Sequence, residues 1–218
     1  MIPRQKPKAV IPSWILADQI LHLSPTARKR INRDFDSRGI FLNIPYSQRY
    51  SKLEIAILST VTAYDLMPRM ARERSKLEMR LLKIVELMLC CAYGLTDLSY
   101  AKRMNMPFEL GLLLAFGKES FVASSRHYSA LRTVSDLNFA DIHYHRGTVG
   151  GLVKELSRWI EQTCSTKRVR TETLLQRYRR LQTIRKDLGP DFEKLLPQEI
   201  GKLLEVAHDE FRMNLSGE

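Results

Sequence analysis

The chain has little cysteine: three residues in 218, two of them adjacent (Cys90 and Cys91). That is too few for a disulfide framework. It fits a reducing cytoplasm, with the adjacent pair packed at a helix end. No apolar run reaches the length of a membrane span. Asp18 and His22 interrupt the apolar stretch behind the basic N-terminus, and no small-residue cleavage site follows, which argues against a secretory signal. The Walker pattern is missing, and Gly150-Gly151 opens a helix without the strand and turn of a dinucleotide fingerprint. There is no Ser-x-Gly elbow and no cysteine in a nucleophilic context. His143 and His145 alternate along a strand and so share a face, but no third cysteine or carboxylate stands at ligand spacing. No metal and no bound cofactor are therefore expected. Internal repeats and low-complexity tracts are absent as well.

What is present is an ordinary apolar fraction of 44% and a net charge of +11, unevenly placed. By count, residues 1–38 carry about +5, 39–165 about +4 and 166–218 about +2, while 166–186 alone carries about +7. The basic stretch TKRVRTETLLQRYRRLQTIRK has two readings. Arg168, Arg170, Arg177, Arg179 and Arg180 either neutralise nucleic-acid phosphates or form a solvated helix face with little aromatic interleaving (Tyr178 only).

The pattern divides the chain into a basic N-terminal extension (1–38), an α/β domain (39–165) and a helical C-terminal appendage (166–218). Residues 14–23 have helical spacing. Ser24-Pro25 then starts a helix reaching about Ser37, with Gly39 as its stop. Strands are expected at 39–45, 65–71, 93–98, 119–124 and 140–144. Helices are expected at 47–63, 75–91, 105–117 and 148–163, with a short turn or helix at 131–137. Past the basic helix at 171–188, Gly189-Pro190 breaks the chain, and one or two helices follow over 192–211. Strands alternating with helices at this spacing predict a parallel sheet with helices on both faces, in strand order 2-1-3-4-5. In such a sheet the ligand sits beyond the carboxyl ends of the strands where their order reverses, here between strands one and three.

Two acidic residues fall at that place. Asp97 ends strand three. Glu109 is expected in the first turn of a mostly buried helix opening at Asn105-Met106-Pro107, where the macrodipole favours an ionised carboxylate. Such a carboxylate beside an anomeric carbon stabilises or traps an oxocarbenium-like centre, the logic of glycosidic cleavage. The second carboxylate would hold a ribose hydroxyl or move a proton. The alternative is that Asp97 caps a turn and Glu109 forms a capping box with Asn105. Asn105 lies four residues before Glu109 and is either the N-cap or a ligand contact. Asn43 and Tyr46 flank the first strand tip, and Tyr46 would stack on a base or bond the glutamate. Ser99 would donate to a phosphate or sugar, and Arg69 would pair with a phosphate. Ser124-Ser125-Arg126 resembles a phosphate-facing loop but lacks glycine, and Ser135-Asp136 caps a helix or lines the pocket.

IFLNIPYS, MPR, GLTDLS and RMNMPFELG together resemble a group of bacterial proteins similar to nucleoside 2-deoxyribosyltransferases and, more distantly, to Toll/interleukin-receptor (TIR) domains. The resemblance covers about residues 39–163, and NMPFELG is its most specific piece. It implies a flavodoxin-like sheet, a catalytic role for Glu109 and a sugar- or proton-handling role for Asp97. The substrate would be a nucleotide, a nucleoside or NAD. Domains of this kind serve as toxic effectors in antiphage systems, so a defence-system partner and a homo-oligomer are further expectations. At three positions the chain departs from the group, with Thr96, Tyr100 and Met104 in place of His, Arg and Phe. The competing expectation is a non-catalytic nucleotide-binding module whose basic tail docks on nucleic acid or a protein partner.

Overall fold

A computed structural model describes residues 23–45, 47–71, 80–99, 105–125, 142–164, 166–195, 199–200 and 203–204. The expectations for residues 14–22, Tyr46, Tyr100, Arg126, the 131–137 turn, Ser135-Asp136 and 205–211 lie outside them. The elements run α1 (Pro25–Asp34), β1 (Asp36–Asn43), α2 (Ser51–Ala63), β2 (Met67–Met70), α3 (Arg80–Leu89), β3 (Cys91–Asp97), α4 (Asn105–Ala115), β4 (Glu119–Ser124), β5 (Ile142–Tyr144), α5 (Val149–Thr163) and α6 (Thr171–Leu188). All four strand pairings are parallel, and the order is β2-β1-β3-β4-β5. This is a flavodoxin-like α/β arrangement.

Ser24 caps α1, its hydroxyl accepting the Ala27 N–H at 3.1 Å, and Pro25 follows at the first helical position. α1 ends at Asp34, earlier than expected, because the chain is already pairing: the Asp36 N–H donates to the Cys90 carbonyl at 2.9 Å. Gly39 therefore lies inside β1, within the register irregularity between Asp36 and Ile40. β2 tolerates Pro68 because it is the sheet edge, with only β1 beside it. β3 starts at Cys91, two residues earlier than the apolar pattern indicated.

Strand alternation sorts side chains into two layers. Ile40, Leu42, Leu95, Phe121 and Ala123 face one side, where they pack with α2, α5 and α6 through Ile57, Leu156, Ile160 and Leu181. Phe41 faces the other, packed with α1, α3 and α4 through Ile31, Met88, Leu113 and Phe116. α4 comes close to β3 because Gly94 has no side chain: a Cβ there would lie 2.9 Å from a Leu113 methyl. α1 and α6 thus share the apolar layers of the sheet rather than lying apart from it.

α2 is buried almost all round, Ser59 and Thr60 included, because α6 covers the side turned away from the sheet. Both hydroxyls return a hydrogen bond to the Ala56 carbonyl, at 3.1 and 2.7 Å. α4 shows the opposite departure. Its apolar run predicted burial, yet Phe108 is 53% and Leu114 44% exposed, since the helix covers the sheet with one stripe only, Met106, Leu110 and Leu113.

At the amino end of the sheet, Lys118 is buried, and its ammonium donates to the carbonyls of Leu89 (3.4 Å) and Cys91. A cation on the last carbonyls of α3 complements the helix dipole. Burial pulls this amine down to about 8, only partly offset by the Cys91 and Cys90 thiols. Cys90 and Cys91 pack as expected at the end of α3, and all three cysteines are free.

Candidate functional site

At the carboxyl edge of β3, Asp97 shares the face of Leu95 and Ala123, the α2/α5 layer. Its side chain is 0% exposed. Oδ2 accepts the Tyr50 hydroxyl at 2.6 Å and lies 3.2 Å from His145 Nε2. Oδ1 accepts the Ser99 N–H at 2.9 Å and the Ser99 hydroxyl at 2.5 Å. Ser99 Oγ in turn accepts the Ser125 N–H at 2.9 Å and sits 2.9 Å from His145 Nε2. His145 Nδ1 accepts the Gly147 N–H at 3.2 Å. That bond assigns the imidazole proton to Nε2, which donates toward Asp97 and Ser99.

Every donor in this knot has an acceptor. Burial alone would raise the Asp97 carboxyl, but the contacts from His145, Ser99 and Tyr50 outweigh it and hold the group below its ordinary value. Asp97 is therefore an ionised, buried acceptor. The knot resembles a serine hydrolase triad in composition only. There the carboxylate and the serine sit on different imidazole nitrogens; here both sit on Nε2, and the Ser99 proton already belongs to Asp97. The chemistry this arrangement performs is fixation. It fastens the start of the β3–α4 connection at Ser99 to the start of the β4–β5 connection at Ser125 and to the turn after β5. Gly151 lets α5 start hard against that turn, since a Cβ there would lie 2.5 Å from the His145 carbonyl oxygen.

Glu109 belongs to the other layer. α4 begins at Asn105, so Asn105 is its first helical residue and Glu109 stands one turn further in, beyond the first turn. Asn43 is buried and shares the Phe41 face. Its side-chain amide donates to the Met106 carbonyl at 2.8 Å and to Thr96 Oγ1 at 3.3 Å. This clamps the opening turn of α4 onto the tip of β1. Glu109, three residues on from Met106, is half-buried on the flank of α4 that continues through Leu112 and Phe116 toward α3 and β1. Arg69 pairs in register with Phe41, so it shares that sheet face and is half-buried there. The structure thus places Glu109, Asn105, Asn43 and Arg69 on the α3/α4 side of the sheet, Arg69 on the edge strand β2. It does not bring Asp97 and Glu109 into one crevice: Asp97 turns to the α2/α5 side, with its carboxylate occupied.

Ser99 is likewise engaged within the protein. Tyr46 is outside the described residues. His143 and His145 share a face as expected but serve different partners: His143 stacks on Phe121 with ring centroids 4.6 Å apart and faces Glu155 Oε2 at 3.6 Å. No group of three potential metal ligands occurs among the described residues. Burial pushes the Cys164 thiol up to about 11, so it offers no thiolate at neutral pH.

Of the basic set, Arg168, Arg170 and Arg179 are exposed and Arg180 is half-buried. Arg177 is turned inward, donating to the Thr62 carbonyl at the end of α2 at 3.0 Å. Sequence reasoning missed Tyr50 and His145. Tyr50 carried no signal at all, whereas the alternation of His145 with His143 did place it at the carboxyl end of β5.

Comparison with known proteins gives no match to a family model, a curated protein or a solved structure. No described helix is long and apolar enough to cross a membrane.

Proposed function

We propose that the protein cleaves an N-glycosidic bond with Glu109 as the acting carboxylate, and that NAD is the substrate class. The observation that carries this reading is the Asn43 clamp, which holds the opening of α4, and with it Glu109, at the β1/β3 switch point. An ionised carboxylate beside the anomeric carbon stabilises the oxocarbenium-like centre as the base departs and water adds.

The choice of NAD comes from the fate of Asp97. A purine or pyrimidine leaving from a nucleoside needs a proton, and neither a sealed Asp97 nor Thr96 offers one. Nicotinamide is attached as a pyridinium and leaves neutral, so one carboxylate is enough. Asp97 is then a positioning residue that anchors the connections around the site. Asn105 and Arg69 would bind the ribose and phosphate portions. In the resembling group such an activity belongs to toxic antiphage effectors working in the cytoplasm, and the exposed Arg168, Arg170 and Arg179 would meet nucleic acid or a partner protein.

The test is product analysis with NAD, deoxynucleoside monophosphates and nucleosides, comparing wild type with Glu109→Gln. Nicotinamide released by wild type and at least a hundredfold less by the variant supports the proposal (about 2.7 kcal/mol of transition-state stabilisation). Equal turnover removes Glu109 from the role. Absence of base release from every substrate, with nucleotide binding retained, favours the non-catalytic nucleotide-binding module, the reading to which the burial of Asp97 lends weight.

A further inference from the structure

A cleft of about 720 Å³ opens between the start of α2 and the carboxyl half of α6, on the opposite side of the sheet from α4. Ser47, Gln48 and Lys52 form one wall, and Gln182, Arg185 and Lys186 the other. Arg185 is fixed in place. Its guanidinium lies 3.7 Å from the buried Glu54 carboxylate, donates to the Ser51 carbonyl at 3.4 Å and stacks over the buried Phe192 ring at 5.3 Å. Lys52 and Lys186 are exposed, and neither has an ion pair or side-chain hydrogen bond among the described residues. Three cations therefore converge on one concave surface against a single carboxylate that already faces Arg185. Among the neutral lining residues, Ser47, Gln48, Ser51 and Gln182 stand beside Ile55 and Pro190, and the lining surface is more apolar than polar.

We propose that this cleft binds the diphosphate or polyphosphate group of a small molecule, at a site separate from the Glu109 face. The guanidinium, held in place by Glu54 and Ser51, contributes positive charge at the cleft, and the two exposed ammonium groups supply the donors to phosphate oxygens. Three cations exceed what a single carboxylate ligand would require, and the cleft volume falls in the range that holds a whole nucleotide.

Pyrophosphate and ATP titrated calorimetrically into the full chain at low salt test the proposal. Wild type should bind both. Lys52→Glu/Lys186→Glu should weaken binding at least tenfold with an unchanged thermal midpoint, because both side chains are exposed. Arg179→Glu, on the same helix but outside the cleft, should stay within twofold of wild type. The proposal is overturned if neither probe binds to wild type, if the double variant binds as wild type does, or if Arg179→Glu weakens binding as much as the double variant. The last result would make the interaction one with the basic helix at large. None of these outcomes depends on glycosidic activity.

Discussion

Replacing Asp97 with asparagine tests whether this carboxylate holds the fold together or does chemistry. The side chains are nearly isosteric, so packing is preserved. One oxygen becomes an NH₂ group, which must face either Ser99 or the Tyr50–His145 pair. Hydroxyl protons can rotate away, but the Ser99 N–H cannot and loses its acceptor if the amide nitrogen faces it; in the other orientation the His145 Nε2–H keeps only Ser99 Oγ. Losing one or two charge-assisted bonds costs about 2–5 kcal/mol, the upper end applying if the Ser99 N–H is left unpaired. Domain stabilities are only about 5–15 kcal/mol. Urea unfolding at pH 7 should show the full loss.

The pH dependence gives a second check. The Asp97 carboxyl is held below its ordinary value in the folded protein. Its contribution is therefore complete above the unfolded value of about 4 and disappears as pH falls through the depressed folded one. The gap between wild type and variant should narrow in acid. A loss under about 1 kcal/mol at pH 7, or a gap that does not change with pH, refutes the reasoning. A residue acting on substrate from a solvent-facing position would instead cost activity and leave stability largely intact.

Two further expectations concern stability alone. Lys118 is buried with its amine lowered to about 8, so the unfolded chain binds the extra proton above that pH. Relative to Lys118→Met, wild-type stability should therefore rise between pH 8 and about 10.5, by on the order of 3 kcal/mol. The difference isolates this amine from the raised Cys164 thiol, which works in the opposite direction over much of the same range. Parallel denaturation curves for the two proteins across that window would count against it. Gly151→Ala sets a Cβ against the His145 carbonyl oxygen and should cost at least about 2 kcal/mol; a thermal midpoint within 1 °C of wild type would show that the turn after β5 yields.

The five-unit alternation was legible because periodicity is local. Each strand and helix announces itself within its own ten or so residues, and Pro25 and Gly189 mark boundaries for the same reason. Two local signals misled. The apolar run in α4 implied burial, but a run cannot say how many neighbours a helix will have, and α4 has the sheet on one side only. α2 carried an amphipathic signal and became buried nearly all round because α6, more than a hundred residues later, lies over it.

The sequence by itself determined the alternation of strands and helices, with Asn43 at the tip of β1 and Glu109 near the start of α4, since these follow from spacing within each strand–helix unit. The succession of five units favoured the strand order the sheet adopts. Tertiary structure alone decided that Asp97 is sealed, because two of its partners, Tyr50 and His145, come from other parts of the chain: Tyr50 is 47 residues away, and His145 is 46 residues beyond Ser99. It also decided which face each acidic residue joins. The two-residue period of β3 turns Asp97 toward α2, while Asn43 clamps α4 over the opposite face, so residues close in sequence are parted by the thickness of the sheet.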